Sequence, residues 1–519
     1  MWLLWFIVFL ASLAYLLKKK MTKPANFPPG PPIYPFVGSI PYLNPPNESK
    51  PKLFWAIRQF EKKYGSIFGF FLADSSTVVL TEYNDIKDIM GREETALRPP
   101  VAGHKIRPGW EASAELDPVL NARQSAGVAF SNGNFWKEQR RYLLKNLRDF
   151  GFGKASMEEA LHEEVQKLVD FLKPLDGKVT NLSQVTNISI LNALWNILVG
   201  EKLDLDDPRL EKLLKVVDNL LRLTEGPNSV IGNLLPHPDM IYWPGIRQLA
   251  NLDIPEQTFK TVFSFIQPYV DEHKKTLDEE NVRDFMDLFL LEIRKTTDPM
   301  SSFYGKRGEN ALINDLMDMF IAGMETTSSS LLWSFLFLLH FPECQAKIYE
   351  EIARVVGLNK LPGLQDQKDL HYLNAFVQES FRFASLVPMS LFHYTSAAID
   401  FKGYTIPKNS IVIGSLFHVM HDPKHFANPE EFSPERFLDK NGIFVHDERI
   451  VPFGIGKRFC LGKSLAEKEF FLFFSGFMQN FEVLPEPGVK LPPIGVDEVN
   501  VNGIIRSVPT YQLVLRARK

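Results

Sequence analysis

A mainly α fold with a minor β-sheet, built as one large domain, is predicted by three observations. Helical periodicity runs through Glu158–Leu172, Ala311–His340 and Asp369–Phe383. Strand-like runs are few and short. From about Pro41 to Lys519 no composition break, repeat or low-complexity tract divides the chain. A length of 519 residues would by itself admit about three domains, so this continuity decides for one. Hydrophobic residues make up 45% of the sequence and 42 are phenylalanine, enough for a large core with an apolar cavity. A net charge of −4 gives no electrostatic case for nucleic acid as the main partner. With only two cysteines, Cys344 and Cys460, the chain has no disulfide scaffold and suits a reducing compartment.

Taken in order, the chain opens with Met1 to Leu17, a charge-free run holding Trp2, Trp5 and Tyr15. Lys18, Lys19, Lys20 and Lys23 follow. As a helix the run spans about 26 Å, just short of a hydrocarbon core of roughly 30 Å. Ser12-Leu-Ala14 offers a small-x-small cleavage site, but the positive charge follows the apolar run instead of preceding it. An uncleaved single-pass anchor with its lysine side and body in the cytosol is therefore expected. Under that topology the sequons at Asn47, Asn181 and Asn187 stay unmodified. Pro24 to Pro35 is too rich in proline for helix or central strand and predicts a semi-rigid hinge within residues 18–40. Residues 41–519 form the body. Ile67–Leu72 and Thr77–Thr81 predict a strand pair turning at Ala-Asp-Ser-Ser, and later β segments are expected around Ser396–Ile406 and Tyr511–Leu515. Cys344, at a helix start, is expected to be a buried free thiol.

Chemistry concentrates in a few places. Phe453-Gly-Ile-Gly456-Lys-Arg458-Phe-Cys460-Leu-Gly462 sets a cysteine in a glycine-bracketed loop. A thiolate there is an electron-rich ligand for iron, and nearby backbone N–H groups can tune it. In the long helix, Ala322-Gly323-Met324-Glu325-Thr326-Thr327 places small residues where a flat cofactor and a diatomic ligand could approach the backbone. The Thr326 hydroxyl can divert the Ala322 carbonyl four residues earlier. Glu325 and Thr326 then form an acid–alcohol pair able to relay protons. Glu379 and Arg382, three apart, share a helix face and can pair. Glu351 and Arg354 have the same spacing and read as an exposed pair worth little. Trp136 and Arg140, one turn apart, are two donors suited to a carboxylate. If their helix meets the cysteine loop, Lys137, Arg141, Lys145, Lys457 and Lys463 form a basic patch suited to an acidic electron donor.

These motifs, in this order along nearly the whole chain, resemble the cytochrome P-450 superfamily, and the text Phe130-Ser-Asn-Gly133-Asn-Phe-Trp136 resembles its microsomal family-two group. The resemblance implies a P-450 fold with a single haem domain and haem b held by Cys460. It implies a monooxygenase that takes electrons from NADPH through NADPH-cytochrome P-450 reductase, with cytochrome b5 as a further partner. The enzyme would sit in the endoplasmic reticulum membrane and insert one oxygen atom into a lipophilic small molecule. Glu325 and Thr326 match the proton relay. Trp136, Arg140, His393 and Arg458 match propionate-binding positions, and Arg123 matches one with its spacing off by one. Arg436 of Pro434-Glu-Arg-Phe would join Glu379 and Arg382 in a buried structural cluster. Ala322, Val387, Met389, Ile504 and Ile505 correspond to pocket-lining positions. Two departures stand out. Met324 replaces a residue that is often threonine, with the pocket shape at stake. The 99–127 loop is long and carries Lys105, Arg107, Trp110, Glu111 and Glu115, so the substrate is not carried over. A haem-thiolate isomerase or dehydratase working on peroxides without reductase, and a non-catalytic haem sensor, are the alternative classes.

Overall fold

A computed structural model describes residues 21–43, 53–99, 107–109, 116, 127–149, 155–205, 207–222, 243–249, 253–495, 501–502 and 505–518. The apolar run 1–17, Asn47, Lys105, Trp110, Glu111, Glu115, Arg123 and Ile504 lie outside the described residues. Among the described residues no helix is long and apolar enough to cross a membrane.

The first elements are α1 (Leu53–Tyr64), β1 (Ile67–Leu72), β2 (Ser75–Leu80), α2 (Tyr83–Gly91), α3 (Gly133–Asp149) and α4 (Ala155–Leu172). There follow β3 (Val179–Thr180), α5 (Ser183–Val199), α6 (Pro208–Arg222), α7 (Pro244–Leu249), α8 (Asp253–Thr276) and α9 (Phe285–Lys295). The central elements are α10 (Gly305–His340), α11 (Pro342–Val355), α12 (His371–Ala384), β4 (His393–Tyr394), β5 (Ile399–Phe401) and β6 (Tyr404–Ile406). The chain closes with β7 (Ile411–Gly414), α13 (Leu416–Met420), α14 (Lys463–Asn480), β8 (Phe481–Pro485), β9 (Val501–Asn502), β10 (Ile505–Arg506) and β11 (Leu513–Ala517). The mainly helical expectation holds.

Helix α10 is apolar nearly all round, and such a helix must be surrounded. It touches α5, α8, α9, α11, α12 and α14. Leu312, Leu316, Phe320, Met324, Trp333 and Phe337 on it are fully buried. Met324 therefore packs in the core. The four-stranded sheet runs β1-β2-β7-β4, with β2 and β7 parallel and the other neighbours antiparallel. The β1–β2 turn is tighter than expected. Leu72 pairs with Ser75, so Ser75 and Ser76 are strand, and Ala73 takes the turn at φ +52°. The expected segment at Ser396–Ile406 is the β5–β6 hairpin, and the C-terminal strand is β11, flanked by β3 and β8.

The proline-rich stretch rests on the body through Phe27, 8% exposed, and through the Gly69 N–H donating to Pro29 O at 2.8 Å. The Glu351–Arg354 expectation is corrected. Glu351 is buried and accepts the Tyr372 and Leu373 N–H groups, each at 2.9 Å, at the start of α12. Arg354 stays exposed, 3.9 Å away. Helix N-termini leave such N–H groups unpartnered, and a carboxylate from α11 fills the need here. Cys344 is buried as expected, accepts from the Tyr372 hydroxyl at 3.4 Å, and is pushed up to about 11 by burial.

Candidate cofactor and active site

Cys460 ends a loop that runs directly into α14. Gly456 makes the loop possible: its φ is +81°, and a side chain there would strike Met90 O of α2 at 2.0 Å. The Cys460 N–H donates to Phe453 O at 2.9 Å, closing the turn. The cysteine is exposed at the loop face, while protein packed behind its sulfur pushes the thiol up by burial. The N–H groups of Gly462 and Lys463 and the charge of Arg140 oppose that effect. The sulfur thus faces the Gly462 and Lys463 N–H groups at the positive end of α14, the setting that stabilises a thiolate. Phe453 meets Phe381 of α12 edge-on at 6.0 Å, which fixes the loop against that helix.

Helix α3 meets the same loop. Arg140 donates to Phe459 O at 2.6 Å, and Arg458 lies 3.7 Å over the Trp136 ring. The Trp136 Nε1 is buried with no hydrogen-bond partner among the described residues. Arg458 is bound to Ala96 O at 2.7 Å, Ser131 O at 2.7 Å and Asn132 Oδ1 at 2.9 Å. His393 on β4 donates from Nδ1 to Thr95 O at 2.8 Å, so Nε2 is its other face. Burial, with Arg98 and Arg458 beside it, pulls His393 down to about 3. Arg98 is a member of this cluster that the sequence motifs did not single out. It is 4% exposed and is pulled down to about 9 by burial and by Arg140. The only sequence signal for it is Arg98-Pro99 at the mouth of the long loop. Buried guanidinium groups that repel one another call for an anion. An orphan indole N–H and three guanidinium groups fit the two carboxylates of haem b, with Cys460 as the iron ligand.

On the α10 side, the Thr326 hydroxyl donates to Ala322 O at 2.7 Å, the bond its spacing predicts. Ala322 is exposed. Gly323 also faces α5, since a side chain there would meet Leu194 Cδ2 at 2.6 Å. Its smallness lets α5 and α10 pack. Glu325 is half-buried and accepts from Ser329 Oγ at 3.1 Å, a partner the motif did not reveal. Of the expected pocket residues, Val387 is half-buried, whereas Met389 packs with Phe68, Phe70 and Ile413 under the sheet. Ile505 is 6% exposed in the main core. Both side chains thus sit among apolar neighbours. Arg107 of the long loop ties to Asp318 of α10 at 2.8 Å and to Asn314 O at 3.1 Å.

Glu379, Arg382 and Arg436 meet. Glu379 and Arg382 are fully buried and bidentate at 2.6 and 2.8 Å, and Arg436 Nε reaches Glu379 at 3.2 Å. Arg382 also donates to Met420 O and Pro429 O, and Arg436 to Ala427 O, so the cluster gathers the segment ahead of the cysteine loop.

The family model described as Cytochrome P450 matches residues 28–514. Cytochrome P450 2B19 of Mus musculus is 33% identical over 514 residues, covering 99% of this chain and 97% of that protein. Cytochrome P450 2C4 of Oryctolagus cuniculus is 33% identical over 490 residues, 94% of this chain and 93% of that protein. Cytochrome P450 2B4 of the same species is 32% identical over 519 residues, 99% of each chain. Similarity that extends end to end, on a fold whose thiol loop and buried arginines suit a haem, admits one conclusion: the chain belongs to the cytochrome P450 family, the haem-thiolate monooxygenases.

Proposed function

We propose that Cys460 is the axial thiolate of haem b, that Arg98, Trp136, Arg140, His393 and Arg458 hold the propionates, and that Glu325 and Thr326 deliver protons. Bound haem supplies oxygen activation and atom transfer, with electrons reaching it from NADPH through a flavoprotein reductase, as in the family. The substrate is a lipophilic small molecule. The single observation that carries the residue assignment is the convergence of α3, β4 and the cysteine loop, which puts buried donors beside a thiol at a helix N-terminus. Within this site the chain's groups have separate tasks. The Gly462 and Lys463 N–H groups stabilise the anionic sulfur. Thr326 sets its hydroxyl on the Ala322 carbonyl and presents a polar step inside an apolar helix. Glu325 is positioned by Ser329 to exchange protons along that step. Glu379, Arg382 and Arg436 are structural and keep the cysteine loop seated.

The membrane reading is equally a proposal. Residues 1–17 anchor the protein in the endoplasmic reticulum membrane, residues 18–40 are the hinge, and the 41–519 domain faces the cytosol, where cytochrome b5 is a second electron donor. The ferrous–CO difference spectrum tests the site. A Soret band at the red-shifted thiolate position supports Cys460 ligation. A band at the histidine-haem position in active protein, or folded protein without haem, overturns the assignment.

A further inference from the structure

Arg506 on β10 is 1% exposed. Its Nη1 donates to Phe383 O at 2.8 Å and Ala384 O at 3.0 Å, and its Nη2 to Ile494 O at 2.5 Å. The first two are carbonyls at the end of α12, which a helix leaves without internal partners. The guanidinium lies 4.6 Å over the Trp333 ring of α10, and Trp333 Nε1 donates to Arg506 O at 3.2 Å. The Arg506 N–H donates to Leu386 O at 2.8 Å. One residue therefore joins α10, the end of α12 and the first turn of the loop 385–392. Burial draws the guanidinium down to about 10, so it stays charged at neutral pH. A buried charge is costly to keep, and the carbonyls and the indole face are what offset it here.

The far end of the same loop is held by another buried arginine. Arg98 Nη1 donates to Leu391 O at 2.8 Å and Phe392 O at 2.9 Å, immediately before His393. Between the two anchors, Ser385 at φ +41° and Ser390 at φ +49° occupy the left-handed region that costs any residue but glycine. The Pro388 carbonyl accepts from Phe417 N at 2.9 Å. A loop strained at two serines is held at its middle by Phe417 and depends further on the clamps at its ends. One clamp belongs to the cofactor cluster, and the other is Arg506.

We propose that Arg506 is a positioning residue that seats the 385–392 loop, Val387 included, and so sets which ligands fit beside the cofactor. The inference rests on the reading of Arg98 and His393 as the cofactor face. It is tested in the full-length haem-loaded protein by Arg506→Met, which keeps bulk but no donor, and by Arg506→Lys, which keeps the charge but fewer bonds. Hydrogen exchange of the loop amides is followed alongside those of α4 and α14, and dissociation constants for imidazole and 4-phenylimidazole are taken from optical titration. In Arg506→Met the loop amides should exchange at least about tenfold faster with α4 and α14 unchanged, the loss of one charged bond or more. The ratio of the two dissociation constants should change by about threefold or more while imidazole alone binds as before. Arg506→Lys should move both readouts the same way by less, and it decides alone should the methionine variant not fold. Unchanged loop exchange, a rise shared by all segments, or an unchanged ligand ratio would overturn the proposal. A wild-type ferrous–CO band at the thiolate position keeps such a failure distinct from failure of the underlying site assignment.

Discussion

Thr326 and Cys460 carry the two chemical assignments of the proposed site, and each is open to a separate test. The Thr326 hydroxyl is held on Ala322 O. On the proposed relay, Thr326→Ala removes a proton step and leaves every donor around Cys460 in place. The variant should load haem and consume NADPH, while product per NADPH falls about tenfold or more and hydrogen peroxide rises. Thr326→Ser should recover most of the coupling, because the hydroxyl and its acceptor survive. Coupling that is unchanged in the alanine variant takes Thr326 out of the mechanism. For Cys460 the expected outcome differs in kind. Cys460→His should still fold, bind haem and show a CO band at the histidine position, with monooxygenation lost. Full activity in that variant would refute the thiolate assignment.

Two elements carry carboxylates whose work is to join helices. Glu351 on α11 takes two N–H groups of α12, so Glu351→Ala leaves buried donors unsatisfied and should cost about 1–3 kcal/mol. Arg354→Ala, at a position that is 71% exposed, should change stability by no more than about 0.5 kcal/mol. Thermal melts of the two variants check the contrast, and equal losses would contradict it. Between α8 and α9, His273, Asp284 and Asp287 stand close enough to suggest a metal. Yet His273 Nδ1 faces Tyr269 O and Nε2 faces Asp284, both acceptors, while Arg283 occupies Asp287. With a proton on each ring nitrogen, no lone pair remains for an ion. Burial works against the charged ring, but Asp284's hydrogen bond and charge outweigh it and hold the His273 pKa above 6.5. A raised value means the added stability is fully present below about 6.5 and fades as pH climbs through the folded value. Asp284→Asn keeps the helix-capping acceptor for Asp287 N and removes the charge. The variant should therefore lose about 1 kcal/mol near pH 6 and approach the wild type above neutrality, a difference read from melting temperature against pH. A gap that does not change with pH would contradict this account.

At the scale of the whole molecule, what spacing alone made legible lies within one segment, while the meeting of Arg436 with Glu379 came from the family resemblance. Cys460 and its glycines, Thr326 with Ala322, and Glu379 with Arg382 are contacts between residues a few positions apart, and each was readable from spacing. Arg98, Arg506 and the role of Glu351 depend on partners that lie on other elements, which spacing does not reach, whereas Ser329 with Glu325 is a four-residue spacing within reach that the motif passed over. An apolar side chain such as Met389 or Ile505 does not reveal from sequence which side of a wall it faces. The basic patch shows how assembly changes a charge count. Glu93 bridges Lys137 at 2.6 Å and Lys457, and these two lysines hold it down at about 2. Lys463 has Glu467 at 3.8 Å. Arg141 and Lys145, exposed on α3, have no ion-pair partner among the described residues and carry the unopposed positive potential of that face. If an acidic reductase docks beside the cysteine loop, these two are the charges that would steer it. Arg141→Glu combined with Lys145→Glu should raise the reductase concentration for half-maximal turnover about tenfold at low salt. The difference should shrink toward nothing as ionic strength approaches 1 M, where the screening length is about 3 Å. The ferrous–CO band should stay intact throughout, because neither side chain belongs to the haem-binding cluster. A salt-independent loss would mean the substitutions damage the fold, and no loss at low salt would place the docking face elsewhere on the molecule.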